Sequence, residues 1–306
     1  MTKLETEAFV TWLETRDHSA ATIRSYTSDL RSVARWFTET LGEPFEPGAL
    51  TVLDVRAYRQ YMLHVRRWKG NTINRRLAML RAYCRWAQEM GLREDDPTLQ
   101  VAPVKTQPRA PRWLTLQEQR TFQRALLRVS SGVWTASREF RQQQREMLGL
   151  FLLNTGLRLG EVCQVEVSDL TLNAQAGRVQ VVHGKGRKQR LVPLNRTVRE
   201  ALAPWLHTRE AWLAARQKET AALFISQRGT ALRPRTVQKI METLSATVGF
   251  TVTPHILRHT FAKNLVDHGV TLEKVAALLG HSSLNTTRLY VTPGVQDLVK
   301  AVEALP

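Results

Sequence analysis

Between Asp95 and Arg112 the chain reads DDPTLQVAPVKTQPRAPR, a segment with four prolines and neither helical nor strand periodicity. Each proline lacks a backbone donor and biases its predecessor toward extended backbone, so no helix or central strand runs through. The break divides the 306-residue chain into residues 1–92, an exposed linker at 93–112, and residues 113–306. Both parts can build a core, since 43% of residues are hydrophobic. The linker also carries Lys105, Arg109 and Arg112, which suits a strap crossing a charged ligand.

Before the break the apolar spacing predicts four helices. The first covers Leu4 to Leu13. The second is capped at Ser19 or Thr22 and ends near Gly42. The third, about Leu53 to Val65, starts after Thr51, and the fourth runs from Asn71 or Thr72 to Met90. Ile73, Leu77, Leu80, Tyr83 and Trp86 form one face of the fourth, and arginines fill the others. After the break the pattern is helical again, with one interruption. Residues 178–194, RVQVVHGKGRKQRLVPL, alternate on both sides of a Gly-bearing basic turn and predict a β-hairpin. Leu223 to Ile225 is read as a strand extending that sheet. Helices are predicted at Asn195–Arg216, Pro234–Ala246, His255–Asp267, Leu272–Leu279 and Leu284–Leu289. The fold class is mainly α: a helical bundle, then a mixed α/β domain with a small sheet.

No apolar run approaches membrane-spanning length, and the acidic N-terminus MTKLETEAF does not resemble a signal peptide, so a cytoplasmic protein is expected. Two cysteines, Cys84 and Cys163, are too few for a disulfide framework or a zinc site. Charge is more informative. The net charge is +17, and nine Lys or Arg lie between Asp54 and Glu89 with no acid among them. Seven more lie between Asp169 and Glu200, again without an acid. One such tract could be a solvated face; two favour a polyphosphate partner touching both parts. The candidate nucleic-acid contacts are Arg66, Arg67, Lys69, Arg75, Arg76, Arg81 and Arg85 in the bundle. In the second part they are Arg187, Lys188 and Arg190 at the hairpin, with Arg233 and Arg235 beyond it.

Breaking a phosphodiester without a metal requires a nucleophile, cations fixed against the non-bridging oxygens, and a donor for the leaving oxygen. Four segments supply such groups. In TGLRLGE, Glu161 sits three residues after Arg158 and can hold its guanidinium. In HGKGRK, flanking glycines present Lys185 at a hairpin tip. In HILRH, His255 and Arg258 share a helical face. His255 and His259 also have the spacing of a metal pair, but no acid or cysteine nearby completes a site. In GHSSLNTTRLY, His281 precedes Tyr290, the one tyrosine after the linker. Acids in the second part are scattered singly, which disfavours two-metal hydrolysis.

TGLRLGE, HGKGRKQRLVPL, HILRHTFA and LLGHSSLNTTRLY, in this order, closely resemble the tyrosine recombinase (phage integrase) family. A basic four-helix bundle ahead of them resembles that family's SAM-like core-binding domain. The absence of a further domain before the bundle points to the simple two-domain type, of the Xer, Cre or transposon-resolution kind. The resemblance implies that Arg158 and Arg258 clamp the scissile phosphate and that Lys185 protonates the leaving 5′ oxygen. It implies that His255 and His281 hydrogen-bond the phosphate, Glu161 supports the site and Tyr290 is the nucleophile. It further implies no metal and no cofactor, a C-shaped clamp on double-stranded DNA at a specific recombination site, and a homo-tetramer on two sites. That scheme leaves room for accessory proteins. The tail from Gly294 to Leu305 has helical spacing and is expected to dock on a neighbouring protomer or on its own domain. Integration, excision, resolution and transposition all fit the chemistry. The rival readings are a type IB topoisomerase-like relaxer, a metal-dependent nuclease, and a non-catalytic DNA-binding regulator on the same fold.

Overall fold

A computed structural model describes residues 3–106, 111–127, 135–173, 175–182, 189–281, 283–290 and 302–303. The chain forms two compact units, Met1–Arg109 and Ala110–Pro306, which are described separately.

The first unit contains α1 (Lys3–Thr15), α2 (Ala20–Leu41), α3 (Val52–Gln60) and α4 (Gly70–Glu89). The Ser19 side chain accepts from the Thr22 backbone N–H to start α2, and Gly42 in the left-handed region ends it. Thr51 and Asp54 form a reciprocal capping box at α3. One π-helical turn, Tyr61–Val65, prolongs α3. The core is rich in aromatic rings: Phe9, Trp36, Phe37, Tyr58, Tyr83 and Trp86 are all buried. Phe9 meets Tyr83 edge-on with centroids 5.3 Å apart.

The segment expected to be an exposed linker is in part a wall of this unit. Thr98 and Val101 are buried, and Arg93 donates to the carbonyls of Pro47 and Leu50. Asn74 of α4 brackets Val104 like a strand partner, donating to its carbonyl at 2.9 Å and accepting from its N–H at 2.7 Å. Prolines prevent regular structure here, but side chains supply the backbone partners.

The second unit contains α5 (Leu116–Leu127), α6 (Ala136–Thr155), α7 (Leu159–Val162), β1 (Leu170–Leu172), β2 (Gly177–Val181) and β3 (Arg190–Pro193). It continues with α8 (Arg196–Ala214), α9 (Pro234–Val248), α10 (Pro254–Asp267), α11 (Leu272–Leu279) and α12 (Asn285–Arg288). Helix α6 is the centre: Met147 to Leu153 are buried without a break, so it is covered on all sides, mainly by α8 and α10. The antiparallel sheet has the order β1-β2-β3, with Val179 opposite both Leu170 and Val192. The predicted hairpin is therefore present, but its third strand is β1. Leu223 to Ile225 stays out of the sheet; Ile225 forms an isolated bridge with Ala231, and the preceding Ala222 one with Glu166. All three of its side chains are buried, with Phe224 against Phe151 and Trp205, so core packing rather than strand pairing places it. Among the described residues no helix is long and apolar enough to cross a membrane.

Candidate active site

A helix C-terminus leaves its last carbonyls without intrahelical partners. In α11 these carbonyls face three arginines from distant segments. Arg190 Nε donates to Leu278 O at 2.8 Å, Arg258 Nη2 to Leu279 O at 2.7 Å, and Arg158 Nη2 to Gly280 O at 3.0 Å. Gly280 ends the helix at φ 65°, where an added Cβ would lie 2.9 Å from Arg190 Nη1. The negative end of the helix thus gathers the cations, and a glycine leaves them room.

Glu161 completes the frame from the opposite side. It is 6% exposed and accepts from Arg190 through both oxygens, at 2.9 and 2.7 Å. It also accepts from Arg158 Nη1 at 2.9 Å and from the Arg158 backbone N–H at 2.7 Å. Burial by itself would raise this carboxyl. The hydrogen bonds from Arg190 and Arg158, with their charges, prevail and hold it at about 2. Arg258 is 4% exposed and also donates to Gly156 O at 2.7 Å. Burial, and then the neighbouring Arg158, pull it down to about 10, so it remains a cation at neutral pH.

Arg158 and Arg258 open on a cleft of about 800 Å³ whose lining also includes Arg235, His255, Gly280 and His281. Thr253 caps α10 and Pro254 opens it, which puts His255 at the mouth. Burial, then Arg258, lowers His255. Burial followed by Arg258, Arg158 and Arg190 brings His281 to about 4, and its Nδ1 lies 2.9 Å from Thr287 Oγ1. Both rings are neutral at pH 7. Tyr290 does not line this cleft. It is 1% exposed, packed with Ala262, Val275 and Leu279, and its hydroxyl lies 2.6 Å from His259 Nδ1. Burial raises its phenol, with Arg258 and Arg158 pulling the other way.

The sequence-predicted groups therefore converge where they are described: Arg158, Glu161, His255, Arg258 and His281 share one site, with Tyr290 behind it. Lys185, Arg187 and Lys188 lie outside the described residues, as does nearly all of the tail. Arg190, expected to contact DNA, is bonded to both oxygens of Glu161 and to the Leu278 carbonyl. Arg76 and Arg81, also expected to contact DNA, have partners within their own unit. Arg76 pairs with buried Asp29 at 3.4 Å, donates to Tyr58 and covers Trp68, while Arg81 donates to Val101 O. Arg75 is exposed but bonded to Asp29 and Ser25. Arg66, Arg67, Lys69 and Arg85 are exposed in the first unit, and Arg233 and Arg235 in the second. Sequence reasoning missed the roles of Arg190 and His259. Among the described residues no cluster of His, Cys, Asp or Glu could hold a metal ion.

Known proteins resemble this chain in sequence and in fold. Residues 133–296 match the profile described as "Phage integrase family", and residues 7–91 match "Phage integrase, N-terminal SAM-like domain". The tyrosine recombinase XerC of Bacillus licheniformis is 33% identical over 287 residues, covering 92% of this chain and 89% of that protein. XerC of Corynebacterium glutamicum is also 33% identical, covering 92% and 85%. The solved structure of XerH site-specific recombinase bound to palindromic difH substrate, a post-cleavage complex, aligns with a TM-score of 0.75. The match is at 22% identity over 96% of this chain and 84% of that one. The Tn1549 transposon integrase in complex with circular intermediate DNA aligns at 0.67, with 18% identity over 98% and 99%.

Proposed function

The chain belongs to the phage integrase family of tyrosine recombinases, and on that footing we propose that it cuts and rejoins DNA at specific sites through a 3′-phosphotyrosyl bond to Tyr290. The observation that carries this is the gathering of Arg158, Arg258, His255 and His281 around one cleft by the α11 C-terminus and Glu161.

In this reading the scissile phosphate enters the cleft. The planar guanidinium groups of Arg158 and Arg258 bind its non-bridging oxygens and offset the charge that grows as phosphorus becomes five-coordinate. Preorganised donors of this kind are each worth on the order of 10²–10³ in rate. His255 and His281 hydrogen-bond the phosphate, and Lys185 protonates the departing 5′ oxygen. Glu161 keeps both Arg158 and Arg190 fixed before DNA arrives. Tyr290 moves from its buried position to attack, and the ester bond it forms conserves the energy for religation.

The first unit grips DNA through Arg66, Arg67, Lys69 and Arg85, and the second through Arg187, Lys188, Arg233 and Arg235. Phosphate contacts of this type position the protein rather than read bases. Four copies assemble on two sites in the cytoplasm, with accessory proteins able to set direction. The test is strand exchange between two duplexes carrying a bound site. The wild type exchanges strands, whereas Tyr290→Phe binds and synapses without product. A Tyr290→Phe chain that still yields recombinant DNA contradicts the proposal.

A further inference from the structure

His259 lies beside Arg258 and one helical turn after His255 on α10, and its ring joins two other polar groups. Its Nδ1 is 2.6 Å from the Tyr290 hydroxyl and its Nε2 is 2.8 Å from Nε2 of His255. The two imidazoles meet edge to face, with centroids 4.1 Å apart. Tyr290 is buried, so its hydroxyl proton needs an acceptor, and among the described residues that acceptor is His259 Nδ1. One tautomer follows: His259 carries its proton on Nε2 and donates it toward His255, whose own proton then sits on Nδ1. The chain of hydrogen bonds runs from the buried phenol to the residue that lines the cleft.

We propose that His259 is a catalytic residue of DNA cleavage, taking the Tyr290 proton at Nδ1 while passing its Nε2 proton to His255. The proposal rests on Tyr290 being the nucleophile. The O–H bond of Tyr290 breaks and an N–H bond forms at His259 Nδ1. The N–H bond at His259 Nε2 breaks and one forms at His255 Nε2. The phenol becomes a phenolate, His259 ends neutral, and His255 ends as an imidazolium facing the cleft, where it donates to a phosphate oxygen. No electron is transferred between molecules.

The surroundings also give the relay a gate. Among the described residues, the charged and titratable groups facing His259 are His255 and Arg258 on its own helix, His281 beyond α11, and Tyr290. Burial first, then His255, Arg258 and His281, bring His259 to about 4. Burial keeps the phenol above its ordinary 10.0. In the free chain the proton therefore stays on Tyr290. A phosphate in the cleft is an anion beside His255, and it favours moving the positive charge there from the more distant phenol. Cleavage chemistry is thus held back until DNA fills the site.

The test uses the full chain and a nicked duplex that traps the covalent adduct, with single-turnover rates measured from pH 6 to 9.5. His259→Asn keeps an acceptor for the phenol but cannot relay a proton. Its adduct should form roughly 10²–10⁴-fold more slowly at pH 7 with DNA affinity unchanged. That deficit should shrink as pH rises, and again when Tyr290 is replaced by the more acidic 3,5-difluorotyrosine. A wild-type rate, or a deficit indifferent to both pH and fluorination, overturns the proposal. The wild-type arm fails only if Tyr290 is not the nucleophile, which separates the two readings. Nitrogen-15 spectra of histidine-labelled wild type decide independently of any variant's folding. His259 should carry its proton on Nε2, and an Nδ1–H tautomer donating to the phenol overturns the relay.

Discussion

Replacing Glu161 with Gln should destabilise the second unit by about 3 kcal/mol at neutral pH. The carboxyl is held at about 2 in the folded chain, against an ordinary value of 4.5. A difference of about 2.5 at ~1.36 kcal/mol per pKa unit gives about 3 kcal/mol of preferential stabilisation of the ionised form. The neutral amide would also leave Arg158 and Arg190 facing each other without a counter-charge, which adds to the loss rather than offsetting it. Because the folded value lies below the unfolded one, the stabilisation is complete above about pH 4.5 and is lost as pH falls toward 2. At pH 3 only about 1.5 kcal/mol of it should remain. For a unit of this size the neutral-pH loss corresponds to a Tm lower by roughly 6–12 °C. The assay is calorimetric melting at pH 7 with urea unfolding at pH 7 and pH 3, wild type against Glu161→Gln. A Tm within 1 °C of wild type at pH 7, or a stability gap as large at pH 3 as at pH 7, refutes the reasoning.

Arg190→Gln should slow adduct formation while leaving DNA affinity and its salt dependence near wild type, as titrations at several salt concentrations would reveal. A loss of affinity with a flatter salt slope would return Arg190 to the DNA surface. Arg67→Ala should do the opposite: binding weakens similarly on all sequences and the salt slope falls by about 1, with adduct chemistry intact once DNA is saturating. Gly280→Ala should cost stability by roughly 1 kcal/mol or more, since φ is 65° and the new Cβ meets Arg190. It should also slow cleavage, because the displaced arginine loosens Glu161; paired melting and single-turnover measurements check both effects.

Much of the site was legible because its chemistry sits in short contiguous motifs. His255 and Arg258 read directly as two polar groups on one face of a helix, and the helix forms that way. Glu161 was identifiable from its spacing to Arg158. What was not legible depends on partners far away in sequence. The basic tract of α4 has no acid of its own, yet Asp29, carried by α2, takes up Arg75 and Arg76. Arg190 has the appearance of one more phosphate contact until folding brings Glu161, 29 residues earlier, against it. Leu223 to Ile225 has strand-like composition, but three consecutive buried side chains need a core on every side rather than a sheet edge. The seclusion of Tyr290 has no local signature either, because Val275 and Leu279 of another helix supply its walls.

Whether one phenolic oxygen becomes esterified to DNA can be read from a covalent product. The chain is incubated with short nicked duplexes cut from the genome that encodes it. The mixture is then denatured, and any nucleotide-bearing peptide is mapped by mass spectrometry. A single modified peptide with the 3′-phosphate on Tyr290 is expected. A modified peptide elsewhere in the chain, or duplexes that bind tightly and are never joined to protein, contradicts the phosphotyrosyl mechanism.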